Sequence, residues 1–466
     1  MNFKFIHFLV VFYALCLSCQ VSYAENRELD IFGDESAEEE LGFFDEEQPS
    51  LVDSLRNSLS EKNNSLDIGG RFFYENSYFI AEDDGFSDGR ISQSGTVKLY
   101  FDAVLEDGLR FYFQQKFVNA LEQEQELVSL MVSELSQQND VEQLWLKFTL
   151  NERYYFTLGK QPTKLGAGFV WQTTDFINVD RFNPLDLSDQ RLGVNLIKVQ
   201  VPFSKLGMNL YGIAQLDDAE TLDEIGAMLR LEYLSKSAEY ALSINSRKRQ
   251  ALRLGFDVST GLGIVDWLLS VAYVHNDPSP FFVKGPRLLN ITPLGDFTVP
   301  RSIDRSDEWF QQISTGFLFS NSVDGNKTLL INGEFFYNEA GYENAQYLSS
   351  AIISSLVPNS GISFNPLYFS QYYTAWGATL MGLGRDKDKS IGVILIANMN
   401  DETGVMQFIY RAKPFRDLSM SASAGWFIGE NGTFRPNVDF DTGIQLNDLL
   451  LVPPKYSAQI QLALSF

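Results

Sequence analysis

Apolar and polar residues alternate in many segments of about ten residues, and this period of two is the feature that most constrains the fold. In GTVKLYFDAVL (95–105), Val97, Leu99, Phe101 and Ala103 alternate with polar residues. Successive side chains of a β-strand point to opposite faces, so such a segment has one apolar and one polar face. A lipid-facing barrel wall requires this pattern. Soluble β-sandwiches alternate similarly, so the connections between segments must decide.

Short and long connections alternate along the chain. The short ones include 106–108, 151–153, 204–207, 236–239, 259–263, 321–326, 385–389 and 415–417; the long ones include 118–140, 161–190, 276–307, 339–371 and 430–452. Outer-membrane barrels have tight periplasmic turns and longer outer loops. The sequence therefore predicts an all-β fold: a transmembrane antiparallel β-barrel over 66–466 with 18 strands, 16 being the alternative. An even number of strands places both chain ends in the periplasm.

The chain ends on an alternating apolar run, SAQIQLALSF. A closed barrel explains such an end, because its last strand must pair with its first. The run, with Phe466 as its last residue, resembles the C-terminal signal that the outer-membrane assembly machinery reads. We therefore expect that machinery and outer-membrane lipid as partners.

The first 24 residues have the features of a secretory signal peptide. A charged start is followed by an apolar stretch over 5–17 and a small-residue exit at Ser-Tyr-Ala, so cleavage is predicted after residue 24; lipid attachment at Cys19 is the alternative. Both cysteines, Cys16 and Cys19, lie in this segment, and the remaining chain has one histidine, His275. Disulfides and histidine-rich metal sites are excluded on this basis, and no cofactor is expected.

Residues 25–65 differ in composition from the rest of the chain, with 13 acidic and 3 basic side chains. Like charge at this density argues against a packed core. Leu51, Leu55 and Leu59 recur every four residues, which predicts a short amphipathic helix within a periplasmic arm. Two interpretations remain open: a disordered tail, or an arm that docks a periplasmic partner. The formal net charge of −24 argues against nucleic acid as a partner.

The long connection over 161–190 is rich in apolar and aromatic residues, which would be poorly placed in water. Folding into the lumen to form a constriction would bury them, whereas packing on the outer rim is the alternative. The candidate lumen and constriction residues are Lys160, Gln161, Trp171, Asp175, Asp180, Arg181, Asn183 and Asp186.

The same region carries a family resemblance. Gly159-Lys160-Gln161 and Asn183-Pro184-Leu185-Asp186, followed by a strand ending in Pro202-Phe203, resemble a large, poorly characterised family of Gram-negative outer-membrane barrels; Leu165-Gly166 stands where that family has Trp-Gly. Some members lie beside exporters of the resistance-nodulation-division type. The resemblance implies traffic of lipid or hydrophobic solutes and a periplasmic or inner-membrane exporter as a partner.

The predicted inner face of the strands carries many charged residues, so the lumen is predicted to be polar. The basic strip consists of Arg71, Lys98, Arg110, Lys116, Lys147 and Lys198; further inward charges are Arg230, Arg253, Glu75, Asp102, Glu232 and Asp257. Ion pairs across a wet lumen are one interpretation, and guidance of anionic head groups or solutes is the other. Phe73, Phe79, Trp145 and Tyr155 are also predicted to face inward, although a slip of one residue would reverse this.

These features predict an outer-membrane channel or transporter for a small solute or a lipid-like molecule. A structural barrel with a closed lumen, docking a periplasmic partner through its arm, is the alternative. An enzyme is not expected, because His275 is the only candidate histidine base, and the nearness of Asp277 and Ser279 in sequence does not make a triad.

Overall fold

The computed structural model describes residues 65–82, 84–105, 108–122, 140–178, 185, 193–217, 219–248, 250–276, 281–284, 287–288, 297–298, 301–323, 327–355, 364–436 and 454–466. The predicted signal peptide and the acidic arm lie outside these residues, except for Ser65, which begins the first strand.

Eighteen antiparallel strands form one closed sheet, which confirms the predicted fold and strand number; the alternative of 16 strands is wrong. The barrel strands are β1 (Ser65–Ala81), β2 (Arg90–Val104), β3 (Arg110–Glu122), β4 (Val141–Leu150), β5 (Tyr154–Gln161), β6 (Val194–Phe203), β7 (Met208–Gln215), β8 (Gly226–Ser235), β9 (Ala238–Ser246), β10 (Leu252–Leu262), β11 (Val265–His275), β16 (Trp309–Val323), β17 (Lys327–Asn338), β18 (Tyr372–Leu383), β19 (Lys389–Asn398), β20 (Thr403–Phe415), β21 (Leu418–Ile428) and β22 (Pro454–Ser465).

Smaller elements lie in the long loops. Strands β12 (Phe281–Val283) and β15 (Arg301–Ile303) pair with each other, as do β13 (Arg287–Leu288) and β14 (Phe297–Thr298). A helix, α1 (Leu348–Ser355), packs against aromatic residues of the neighbouring loops. Single turns of 3₁₀-helix occur at Phe86–Asp88, Ser204–Leu206, Leu222–Glu224 and Ala345–Tyr347.

Across the described residues, no helix is long and apolar enough to cross a membrane.

The barrel closes between β1 and β22. Arg71 to Ala81 pair with Ser465 back to Pro454, and the backbones of Gly70 and Phe466 exchange two hydrogen bonds of 2.7 and 3.0 Å. A Cβ atom at Gly70 would lie 2.7 Å from the Phe466 ring, so glycine is what lets the terminal ring pack there. Closure leaves the sheet without an unpaired edge.

The two faces of the wall differ as the alternation predicts. Leu144, Leu229 and Phe408 are exposed on the outer face. Cross-strand pairing places Asp257 opposite Ser270 and Ser270 opposite Ser314, and these polar side chains are buried on the inner face. The outer face is therefore an apolar band suited to lipid, and the polar groups face the lumen.

A charge in the middle of this band should be costly. Replacing Leu242, at the centre of β9 and 55% exposed, by arginine is expected to lower the free energy of unfolding in lipid vesicles by about 2–4 kcal/mol. The matched control is Leu262→Arg, at the end of β10 and 61% exposed, where a loss of about 0–1 kcal/mol is expected near the interface. Equal losses in a urea titration of the two variants would contradict this placement of the band.

Candidate functional site

The connection after β5 enters the barrel. Residues 162–178, called the constriction loop here, form hydrogen bonds to the inner face of three strands: to Gln215 of β7, Asp257 of β10 and Glu334 of β17. These strands belong to different parts of the closed sheet, so a segment that reaches all three crosses the interior. The described part of the connection therefore folds inward and does not pack on the rim.

Glu334 holds the constriction loop from the opposite wall. Its carboxylate accepts hydrogen bonds from the backbone N–H groups of Phe169, Val170 and Trp171, at 3.0, 2.7 and 3.1 Å. The Ser314 hydroxyl of the neighbouring strand β16 donates to it as well. The carboxylate is buried, and these four donors replace the water that it loses.

Trp171 packs the loop against aromatic residues of the barrel wall. It is fully buried, its ring centroid lies 5.4 Å from that of Phe336 and 5.9 Å from that of Tyr373, and its indole N–H donates to the Leu367 carbonyl oxygen at 2.9 Å. The inner faces of β16–β21 form the filled wall. Its buried apolar residues are Phe336, Tyr373, Ala375, Ile396, Val405 and Phe427.

A second polar attachment holds the far end of the loop. The Thr174 hydroxyl donates to Asp257 at 2.6 Å. Asp257 also accepts a bond from Ser270 at 2.7 Å and forms an ion pair with Arg230 at 3.0 Å. Arg230 bonds Glu232 at 2.8 Å as well, so the buried charges in this network compensate each other.

The inner face of β1–β4, called the open wall here, is less covered. Arg71 is exposed, Lys116 is half-buried and Lys98 is buried in its ion pair. Cross-strand pairing places Arg71 directly opposite Lys98, and Lys98 directly opposite Lys116. These three residues form the cation row. Glu142 pairs with Lys98 at 2.7 Å.

A second group of basic residues lies nearer the short turns. Arg110 is directly opposite Lys147, and Thr157 lies between Lys147 and Lys198 in the register. Asp102 accepts two bonds from Arg110, at 2.9 and 2.6 Å. All six residues of the predicted basic strip therefore lie on the inner face of adjoining strands.

Aromatic side chains line the open wall beside these charges. Tyr112 is stacked between Tyr100 and Trp145, with ring centroids 6.4 and 5.3 Å apart. The Arg110 guanidinium lies 5.6 Å from the Trp145 ring centroid. Strand pairing also places the four aromatic residues that were predicted to face inward on the same face as Arg71, Lys147 and Lys198. These aromatic residues are Phe73, Phe79, Trp145 and Tyr155. The open wall thus carries charged and aromatic side chains together.

Of the other described candidate residues, Gln161 lies on the inner face as predicted, whereas Lys160, Trp171 and Asp175 differ from the prediction. Lys160 does not face the lumen: it pairs with Leu144, which is exposed on the outer wall, while its neighbour Gln161 is buried on the inner face. Adjacent residues of a strand cannot share a face, so predicting both inside was wrong. Trp171 anchors the loop instead of lining the pathway. Asp175 organises a turn by accepting bonds from Ile177 and Asn178 N–H groups at 3.4 Å.

Four predicted constriction residues, Asp180, Arg181, Asn183 and Asp186, lie outside the described residues. Leu185, between them, is described: it packs against the filled wall, and its carbonyl oxygen accepts a bond from Gln407 at 3.2 Å. Asp277 and Ser279, beside His275 in sequence, are also outside. The His275 ring stacks on Trp309 at 4.6 Å, and within the described ranges no group of three or more potential ligands could hold a metal ion.

Glu334 was missed by sequence reasoning. Its position in INGEFFYN offered one signal, since it shares the inner face of β17 with the apolar Phe336. A carboxylate among buried apolar residues needs donors from elsewhere. The sequence does not show that those donors come from backbone groups 163 to 165 residues away.

Comparisons with known proteins give structural matches alone. No protein-family model matches the chain, and no curated protein matches its sequence, so the resemblance over roughly 155–203 and the exporter partner stay predictions. Similar solved structures include a BenF-like porin from Pseudomonas fluorescens Pf-5 (9% identity, TM-score 0.48) and Pseudomonas aeruginosa OccK9 (OpdG) (10%, 0.47) and OccK8 (OprE) (9%, 0.47). Each match covers 87% of this chain and 98% of the other. At these TM-scores, function must be inferred from this chain's own residues.

Proposed function

We propose that the chain is an outer-membrane channel through which small anionic solutes pass along the open wall. The observation that carries this proposal is the cation row: Arg71, Lys98 and Lys116 lie side by side on the inner face of β1–β3, outside the filled wall that the constriction loop occupies, and Arg71 is exposed. The filled wall is occupied by the loop, so the pathway is eccentric and runs beside the cation row.

The like charges of the cation row destabilise the strand pairs that carry them. A functional role therefore explains these residues better than a structural role. Directly opposed residues in a sheet have Cα atoms about 4.5–5.5 Å apart, and like charges at this separation destabilise a strand pair. Three such pairs occur here: Arg71 with Lys98, Lys98 with Lys116, and Arg110 with Lys147. Within the described chain, carboxylates pair with Lys98 and Arg110, whereas Arg71 and Lys116 form no ion pair. A basic lining of this kind attracts anions and repels cations.

Charge reversal tests the proposal. The double variant Arg71→Glu/Lys116→Glu should lower the ratio of chloride to potassium permeability by about tenfold or more in planar bilayers, because the same positions would then attract cations. The control is Lys205→Glu, on an exposed turn outside the barrel wall, which changes net charge equally per residue and should leave the ratio nearly unchanged. An unaltered ratio in the double variant would refute an anion pathway along this wall.

The orientation follows from loop length. We place the short turns in the periplasm and the long loops outside, so that residues 25–64 extend from the start of β1 into the periplasm as an arm after the signal peptide is removed. Deleting 25–64 should leave the permeability ratio unchanged if the arm serves docking alone. The alternative function, a closed docking barrel, predicts no steady openings from either the full or the shortened chain.

A further inference from the structure

We propose that Glu334 is a positioning residue that sets the width of the pathway by holding the constriction loop against the filled wall. The effect on width rests on the proposed channel function, whereas the effect on the loop does not. Glu334 touches no part of the open wall, so it acts on a solute through the loop alone.

The geometry of the contact is that of an anion held by a backbone nest. Three consecutive N–H groups, of Phe169, Val170 and Trp171, converge on one carboxylate. The chain before them is tightly constrained: a Cβ atom at Gly168 would lie 2.2 Å from the Trp171 carbonyl oxygen and 2.9 Å from Glu334 Oε1. The loop backbone and the carboxylate therefore fit each other closely.

The charge of Glu334 is not needed to build the barrel wall. Strand β17 pairs with β16 and β18 through its backbone along its length, and the carboxylate adds to this pairing a single bond, from Ser314 of β16. In the part of the chain that the structure describes, no lysine or arginine donates to this carboxylate. An ion buried without a cation is costly unless donors surround it, and three of its four donors belong to the loop. Holding the loop is thus the role that its contacts indicate.

Other contacts keep the loop inside when Glu334 is altered. Thr174 remains bonded to Asp257, and the Trp171 indole remains bonded to the Leu367 carbonyl oxygen. We therefore expect a Glu334 variant to fold, with residues 168–171 released from the wall while the far end of the loop stays attached.

The first test measures the loop directly. In the full chain with Cys16→Ser and Cys19→Ser, a single cysteine is introduced by Val170→Cys, at a position that is 2% exposed. Glu334→Gln keeps the shape of the side chain but turns one acceptor into a donor that faces backbone donors. It should raise the rate of Val170→Cys labelling by a water-soluble maleimide about tenfold or more, because local opening exposes the thiol.

The matched control is Glu75→Gln. Glu75 is also a carboxylate on the inner face, but it lies on β1 and bonds Ser77 and Gln461 of the wall. It should leave labelling slow. Equal labelling of the Glu334→Gln and Glu75→Gln chains would overturn the proposal, and Glu334→Asp, which keeps the charge on a shorter side chain, should label at an intermediate rate.

The second test measures the pathway. Glu334→Gln should lower single-channel conductance by roughly twofold and exclude larger solutes from proteoliposomes, because a loop that leaves the filled wall moves into the lumen beside the open wall. Faster labelling with unchanged conductance would overturn the claim about width. If the unaltered chain itself does not conduct, the proposed function fails, and the labelling experiment alone then decides whether Glu334 holds the loop.

Discussion

Replacing Arg230 by methionine is expected to lower the free energy of unfolding by about 3–5 kcal/mol, since removing one partner of a buried ion pair leaves the other charge uncompensated. The Arg230 guanidinium is almost fully buried and bonds Asp257 at 3.0 Å, Glu232 at 2.8 Å and the Ser243 hydroxyl at 3.0 Å. Asp257 is itself buried and would keep two hydroxyl donors but lose its cation. Urea titration of the refolded barrel, followed by tryptophan fluorescence, measures the loss.

Two variants separate charge compensation from packing in this network. Adding Asp257→Asn to Arg230→Met should restore part of the lost stability, because the uncompensated carboxylate is then gone. Arg416→Met, which removes a cation from an exposed turn, should change stability by no more than about 0.5 kcal/mol. A double variant that is less stable than Arg230→Met would contradict the explanation by uncompensated charge.

Replacing Trp171 by alanine is expected to cost about 3–5 kcal/mol, because it empties a fully buried site and leaves the Leu367 carbonyl oxygen without its donor. The same change removes the indole ring stacked on Phe336, so the loop is less firmly held against the filled wall and smaller conductance should accompany the loss of stability. Trp171→Phe is the matched control. It keeps an aromatic ring in the stack and should cost clearly less in the same titration. Equal losses would show that stacking contributes little to holding the loop.

The barrel was predictable from sequence because a lipid-facing wall requires a strict period of two. That period also assigned Arg230, Glu232 and Asp257 to the inner face, where they form one network. It could not show which of them pair, because partners on neighbouring strands depend on register. The inward path of the constriction loop was one of two open alternatives, since burial of Trp171 inside or on the rim satisfies its apolar ring equally well.

Lys160 shows a limit of motif-based assignment. It stands beside Gln161 in the Gly-Lys-Gln stretch. The resemblance assigns one role to the whole motif, whereas adjacent side chains of a strand point to opposite faces. Glu334 shows a contact that sequence periodicity cannot predict. Its acceptor role depends on backbone donors from a loop far away in sequence, and no periodicity encodes that contact.

The zero-current potential of the unaltered chain under a potassium chloride gradient across a planar bilayer tests the central claim most directly. Anion passage along the cation row predicts a potential of the sign set by chloride, with a magnitude that falls at high salt as the fixed charges are screened. A potential of the opposite sign, set by potassium, would contradict the claim that Arg71, Lys98 and Lys116 line the pathway.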